Sequence, residues 1–381
     1  MQADGNCNSP IRSQERSEKK TILFYSPFAD RARDAESLMI AFSQQGHKVL
    51  SLSQELGAGF QDALAERGIS TFTFAISGNR NWWYTLKHCL YFTRFCREHE
   101  VDIVYSYLDF PGLVSSIGQY FVRARVILCR HHSDMFGSRH LGFAYTLTYY
   151  LARKIIVVSE TAREFMVQHE KIDEKKISVI NLAYDFKLYG KVNEENARRL
   201  RTDIGGELVL IIVGQLISIK RPSAAIQVLK NLINSGINAK LFVLGRGDLE
   251  RDLIAFAIEL SVSDSVTFTG FVPNVLDYIS SSDILLHPSI SESSCVVIKE
   301  ASLLDTPVIV CKGVGDFDEF LVHNKNSFVL DKDTFVEESS EIILNNRHKP
   351  RFGLPESPKA KIMERFAIHN VVGNYDVFNN S

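Results

Sequence analysis

Short Val/Ile/Leu-rich runs alternate with helical patterns from residue 21 onward, and the alternation stops once and restarts. A chain written this way is confined to parallel sheets built from βαβ units. In the first half the strand-like runs are 21–26, 48–52, 70–74, 101–105, 125–129, 154–158 and 177–180, with helical patterns between them, notably 82–99 and 141–152. From about 186 to 206 the apolar runs vanish and the chain turns charged, as in Asn193-Glu-Glu-Asn-Ala-Arg-Arg199. The cycle then resumes at 208–213, 240–244, 265–269, 284–287 and 308–311, with a shorter run at 327–330.

The expected fold is α/β, two Rossmann-like domains facing across a cleft, with ligands beyond the carboxyl ends of the strands. The boundaries read as a polar, disordered lead-in at 1–20, a first domain at 21–185, a connection at 186–206, a second domain at 207–365 and a C-terminal helix at 366–381. At 381 residues the chain is too long for one ordinary core, which fits two domains. A net charge of −2 offers no argument for a nucleic-acid partner. The lead-in lacks the apolar core of a signal peptide, and no run of about 18 apolar residues exists to span a membrane. The six cysteines are scattered without metal-site spacing, which fits a reducing, cytoplasmic setting, and Cys129 and Cys311 sit in apolar strands as small core residues.

The chemistry concentrates after the run ending at His287. Pro288 and Ser289 end that strand, Glu292 falls in the loop, and a helical pattern from about Ser294 to Leu304 carries Glu300, with Ser293 or Ser294 as its N-cap. If Glu300 lies six residues inside that helix, it stands a rise of about 9 Å beyond its start. One carboxylate for ribose hydroxyls, helix N-terminal amides for a diphosphate and one carboxylate for sugar hydroxyls would make a donor site.

Pro288-Ser289, Glu292, Glu300-Ala301 and the strand Pro307-Val-Ile-Val310 together resemble the Glu-x7-Glu signature of retaining family-4 glycosyltransferases of GT-B fold. Ile211-Ile-Val-Gly214 with Lys220 resembles the first strand and phosphate loop of that family's donor domain. Gln215 stands where the family usually has arginine, leaving Arg221 as the nearest substitute. Val243-Leu-Gly245-Arg-Gly247 resembles the next strand and its Gly-x-Gly turn, and Thr269-Gly-Phe271-Val the loop whose backbone meets the nucleobase. In the first half, Val126-Ile-Leu-Cys129 leads into Arg130-His131-His132-Ser133-Asp134, where the family carries a histidine facing the donor sugar. His131 matches best and His132 is the alternative; a metal reading of the pair would need Asp134 or a distant third ligand. Ile155-Ile-Val-Val-Ser159-Glu160 matches the strand and serine ahead of the family's next helix, and 366–377 resembles the helix that crosses back to the first domain. The loop after the first strand departs from the family by having no glycine, while Arg31 and Arg33 in it would suit a phosphate.

The resemblance implies a retaining, metal-independent hexosyltransferase that takes a nucleotide-diphosphate sugar, UDP-linked in preference to GDP-linked, to a hydroxyl on a glycan or lipid-linked glycan. It needs no cofactor beyond this co-substrate. Its implied catalytic residues are His131, Lys220 and Glu292; its implied donor-binding residues are Gly214, Lys220, Arg221, Gly245, Phe271, Glu292, Ser294, Cys295, Val296 and Glu300. An epimerase or phosphorylase on the same fold, and an inactive binding protein, are the alternatives. A peripheral contact with the inner face of the cytoplasmic membrane would involve Trp82-Trp83 with Leu90-Tyr-Phe92 and the Tyr-rich 143–150; both stretches read first as helix faces turned to the core.

Overall fold

The computed structural model of the protein describes residues 19–28, 32–54, 58–75, 82–107, 109–131, 147–188 and 191–375. Arg31, His132, Ser133, Asp134 and residues 1–18 of the expected lead-in lie outside them. The first sheet contains β1 Thr21–Ser26, β2 Lys48–Ser53, β3 Ser70–Thr73, β4 Ile103–Tyr107, β5 Arg125–Arg130, β6 Lys154–Val157 and β7 Ile177–Val179. The second contains β8 Leu208–Val213, β9 Ala239–Leu244, β10 Val266–Gly270, β11 Ile284–His287, β12 Val308–Cys311 and β13 Phe328–Leu330. All pairings are parallel, in the orders β3-β2-β1-β4-β5-β6-β7 and β10-β9-β8-β11-β12-β13. Strands β4, β11 and β12 are buried along their whole length. Helices cover both faces of such a sheet, so its strands are written as unbroken apolar runs, and the alternation was readable for that reason.

On one face of the first sheet pack the helices Arg33–Gln44 and Ala58–Ala65, contributing Leu38, Phe42, Phe60 and Leu64 to the core. The other face is covered by Trp82–Glu98, Asp109–Gly118, a helix at 147–151 and Glu160–Gln168. Ser159 caps the last of these, its Oγ accepting from the Ala162 amide at 3.2 Å.

Two stretches differ from expectation. Within the charged connection, Glu194–Ile204 folds as a helix capped by Asn193 and tied to Asp277 of the second domain at 2.7 Å. Its polarity reflects one-sided packing, with only Ala197 fully buried. The helix Trp82–Glu98 does not turn its tryptophans to the core: Phe92, Phe95 and Cys96 are buried, while Trp82, Trp83, Leu86 and Leu90 face outward. Of the Tyr-rich stretch, Tyr149 is buried and Leu147 and Tyr150 are exposed.

The chain returns to the first domain at its end, in pieces. The helix Lys359–Phe366 stops at Ala367, whose backbone is extended and bridges to Tyr184. Tyr184 receives the Ile368 amide at 2.9 Å and donates its own to the Phe366 carbonyl at 2.8 Å. The short helix Ile368–Val371 and the turn Val372–Tyr375 then set Tyr375 edge-on against Phe42 and Tyr105 of the first core.

The loops after β8 and β9 press together backbone to backbone. Gly245 sits at φ +127°, and a Cβ there would fall 1.9 Å from the Gly214 carbonyl oxygen. Gly236, at φ +82°, has open space around the same position. Gly245→Ala should therefore destabilise the protein by more than the roughly 1–3 kcal/mol of backbone strain alone, and by more than Gly236→Ala. Urea denaturation of the two variants checks this, and equal losses would contradict it.

Candidate active site

In each sheet the strand order reverses beside its first strand: β1 lies between β2 and β4, and β8 between β9 and β11. Connections leave in opposite directions there and open a crevice at the carboxyl ends of those strands. The loop after β8 brings Gly214 and Lys220 to the crevice, and the loop after β11 brings Glu292 to Cys295 beside it.

Lys220 ends a short 3-10 turn, and its ammonium donates to Glu292 Oε1. His287, the last residue of β11, places Nε2 2.8 Å from the same oxygen. Burial alone would raise the Glu292 pKa, but His287 and then Lys220 outweigh it and hold it down at about 2. Burial works against the imidazolium of His287, yet Cys295 and Glu292 beside it push its pKa up to about 9. At neutral pH the cluster is a carboxylate between two cations, which fixes its rotamer. His287, Glu292 and Cys295 each bring a ligand-type atom within 4.8 Å of the others. A metal ion there would compete with Lys220 and the His287 proton for one carboxylate oxygen.

The following loop is tied down from both sides. Ser293 Oγ donates to the carbonyl of His131, across the cleft. Ser294 Oγ donates to Asp316 Oδ2 at 2.6 Å, and Lys299 Nζ lies 2.8 Å from both groups. Lys299 and Asp316 are completely buried, with the ammonium 4.2 Å over the ring of Phe366. The helix therefore starts later than expected. It spans Val296–Leu303, and Cys295 stands at the N-cap without a side-chain cap bond, because both serines are engaged elsewhere. Glu300 is four residues past Val296, a rise of about 6 Å.

The first domain meets this wall through the helix Arg33–Gln44. Arg33 pairs with Glu300 Oε1, and Asp34 Oδ2 lies 3.4 Å from His131 Nδ1, whose ring stands edge-on to Tyr107. Burial raises the Glu300 pKa, and Arg33 offsets only part of that. A further contact binds the two domains, Thr161 donating to the Gly315 carbonyl at 2.8 Å; within the second domain, Gly315 at φ +60° lets its loop lie against Glu292 and Ser293.

The structure thus brings His131, Lys220, Glu292, Ser294, Cys295, Val296 and Glu300 to one cleft. Gly214 and Gly245 shape its floor. Arg221 turns away, donating to the Lys332 carbonyl at 2.7 Å, and the Phe271 ring is exposed beyond β10. Three participants were not singled out from sequence. His287 was read as the end of a strand, although its five-residue spacing to Glu292 across a proline turn was a usable signal. Lys299 and Asp316 lie 17 positions apart, and nothing local pairs them. Asp-x-Asp spacing occurs at Asp316-Phe-Asp318 and Asp331-Lys-Asp333; Asp316 is spent on Lys299, Asp318 accepts from the Gly313 amide at 3.1 Å, and Asp331 closes its own turn.

Two parallel Rossmann-like domains that face one another through their strand ends, with a returning C-terminal segment, define a GT-B fold. Residues 32–187 match the Glycosyltransferase Family 4 domain and residues 193–353 match Glycosyl transferases group 1. The chain belongs to this family and is a glycosyltransferase of GT-B type. It is 24% identical to the capsular polysaccharide biosynthesis glycosyltransferase CapM of Staphylococcus aureus, over 54% of this chain and 57% of that one. Several of these curated relatives are matched over only about half their length, as is one from Methanocaldococcus jannaschii at 47%. A glycosyltransferase of Haemophilus influenzae is 23% identical over 84% of this chain and 94% of its own. Anabaena HepE, solved with UDP-glucose, superposes with a TM-score of 0.79 at 18% identity, over 94% of this chain and 99% of its own, which shows the shared fold.

Two outcomes follow for stability. The folded state holds the His287 proton more tightly than the unfolded chain, whose histidine pKa is about 6.5. Its stabilisation is therefore fully present below about pH 6.5 and lost as pH rises through about 9. The stability difference between wild type and His287→Gln, measured in urea from about pH 6 to about pH 10, should shrink over that window; a constant difference contradicts the charged cluster. Asp316→Asn strands the Lys299 ammonium and should cost about 3–5 kcal/mol; a loss under about 1 kcal/mol would mean the pair is not buried as described.

Proposed function

We propose that this protein is a retaining hexosyltransferase that moves a hexose from a nucleoside-diphosphate sugar to a hydroxyl acceptor. The observation that carries the reading is the convergence of Lys220, Glu292 and Glu300 at the switch point of the second sheet, opposite His131. Lys220, with the first amides of the helix Val296–Leu303, would stabilise the departing diphosphate. Glu292, held as an anion by two cations, would position the sugar hydroxyls, and Glu300 would take the ribose. His131, oriented by Asp34 and Tyr107, would face the sugar from the other wall. The leaving phosphate itself would accept the proton of the attacking hydroxyl. None of these roles asks for a metal ion or a further cofactor.

The donor favoured is UDP-linked, since HepE of the same fold was solved with UDP and with UDP-glucose. The acceptor favoured is a glycan or lipid-linked glycan. CapM is named for capsular polysaccharide biosynthesis, and a Campylobacter jejuni relative, 26% identical over 65% of this chain, acts on a sugar-diphospho-undecaprenol. Such an acceptor would place the protein at the inner face of the cytoplasmic membrane.

Thermal stability measured against UDP, GDP, ADP and CMP and their sugar conjugates tests the donor site. UDP and a UDP-hexose should raise the melting temperature. Glu300→Gln should weaken that binding about tenfold or more, and Lys220→Ala should lower kcat about a hundredfold or more. No shift with any nucleotide, or unchanged affinity in Glu300→Gln, would overturn the assignment. The anomeric proton of the transfer product should show the donor's configuration, and an inverted product would refute retention.

A further inference from the structure

The proposed transfer uses Cys295 only through its place at the start of the helix Val296–Leu303 and leaves its thiol without a task. That thiol, a ring nitrogen of His287 and a carboxylate oxygen of Glu292 all lie within 4.8 Å of one another. Among the described residues no other three side chains of metal-ligand type converge in this way.

The backbone beneath each of the three is already fixed. His287 ends β11 in register with Val310, and its ring stands edge-on to the buried Phe317 at 5.6 Å. Between His287 and Glu292, the Ile290 amide donates to the Ile219 carbonyl at 3.0 Å and Ser289 Oγ to the Ser291 carbonyl at 3.1 Å. The Cys295 carbonyl accepts from the buried Lys299 ammonium at 3.4 Å. Ligands that need only side-chain adjustment lose little freedom on taking up an ion.

The donor types narrow the ion. Magnesium and calcium ask for oxygen throughout, whereas a thiolate, an imidazole and a carboxylate together suit a borderline-soft ion such as zinc. With bonds of about 2.0–2.3 Å, tetrahedral donor atoms stand about 3.3–3.8 Å apart. A gap of 4.8 Å closes to that by about 1 Å, and the 2.8 Å contact of His287 with Glu292 opens by about half an ångström. Charge balances as well. Uptake of the dication forms one bond each to nitrogen, oxygen and sulfur and releases two protons, one from the imidazolium and one from the thiol. The cluster therefore keeps its net charge, and Lys220 gives up its hold on Glu292.

We infer that His287, Glu292 and Cys295 form a regulatory site for zinc or an ion of its class, and that occupancy takes Glu292 away from the donor. Three protein ligands leave a fourth position for water. The binding step stands on the ligand set alone, while the inhibition rests on the donor reading of Glu292. The ion is an inhibitor of a transfer that itself asks for no metal.

Cobalt is the probe, because its thiolate complexes absorb in the near ultraviolet and its tetrahedral complexes in the visible. The reduced, chelator-treated full-length protein should take up cobalt with both bands, and zinc should displace it. Cys295→Ser should remove the thiolate band and weaken cobalt binding about a hundredfold or more, while Cys7→Ser and Cys89→Ser keep both. On the wild-type chain zinc should shield Cys295 from iodoacetamide, read by peptide mass spectrometry, which covers the case of a Cys295→Ser variant that does not fold. Zinc should also weaken the binding of a UDP-hexose about tenfold or more, and chelator should restore it. A wild-type chain without the cobalt bands, an equal thiolate band in Cys295→Ser, or equal labelling with and without zinc would overturn the site. Unchanged UDP-hexose affinity in the zinc-loaded protein would overturn its regulatory role. A metal-free protein that binds no UDP-hexose refutes the donor reading and with it the inhibition, while the cobalt bands still decide the site.

Discussion

The arrangement of the cleft depends on one carboxylate. Glu292 receives Lys220 from the loop after β8 and His287 from the end of β11, and so joins the two connections that diverge at the switch point. A carboxylate buried to this extent would ordinarily be forced toward its neutral form. Two cations reverse that, and the desolvation they all suffer is offset only when all three are present. Removing one partner leaves an unbalanced charge, so the cluster behaves as a unit. Behind it, the Lys299–Asp316 pair repeats the device at greater depth and fixes Ser294, which keeps the glutamate loop from relaxing onto the sheet.

The opposite wall is held by weaker and more exchangeable contacts. Arg33 occupies Glu300, the serine loop touches the His131 carbonyl, and Thr161 meets Gly315. These are hydrogen bonds and one ion pair spread over separate loops, while Val158, Leu182 and Tyr184 of the first domain join the apolar core of the second elsewhere. Arg33 is partly open to solvent, so the pair is held less firmly than the buried cluster. A ligand that satisfies Glu300 better than Arg33 does would replace that contact without disturbing the Glu292 cluster. The rigid part of the site therefore belongs to the second domain and the adaptable part to the first.

Much of this was legible in the sequence for a physical reason. Strands covered on both faces must be apolar throughout, so their positions and order in the chain showed as runs, and the strand ends carried the site residues. What stayed hidden depends on the third dimension. The helix Trp82–Glu98 has apolar residues on both arcs, and no periodicity tells which arc Phe92 or Trp83 belongs to. Ser293 and Ser294 look like caps by local preference, but His131 and Asp316 claim them first, and Cys295 is left at the helix start. The pairing of Lys299 with Asp316 and of Arg33 with Glu300 joins residues whose neighbourhood only the fold creates. The Asn193-capped helix was hidden by its own polarity, since it buries little beyond Ala197.

A crystal structure of the protein with a bound UDP-hexose tests the central claim most directly. The account predicts the ribose hydroxyls on Glu300 with Arg33 displaced from it, the diphosphate between Lys220 and the start of the helix Val296–Leu303, and Glu292 still paired with His287. An intact Arg33–Glu300 pair with the nucleotide bound elsewhere would contradict it.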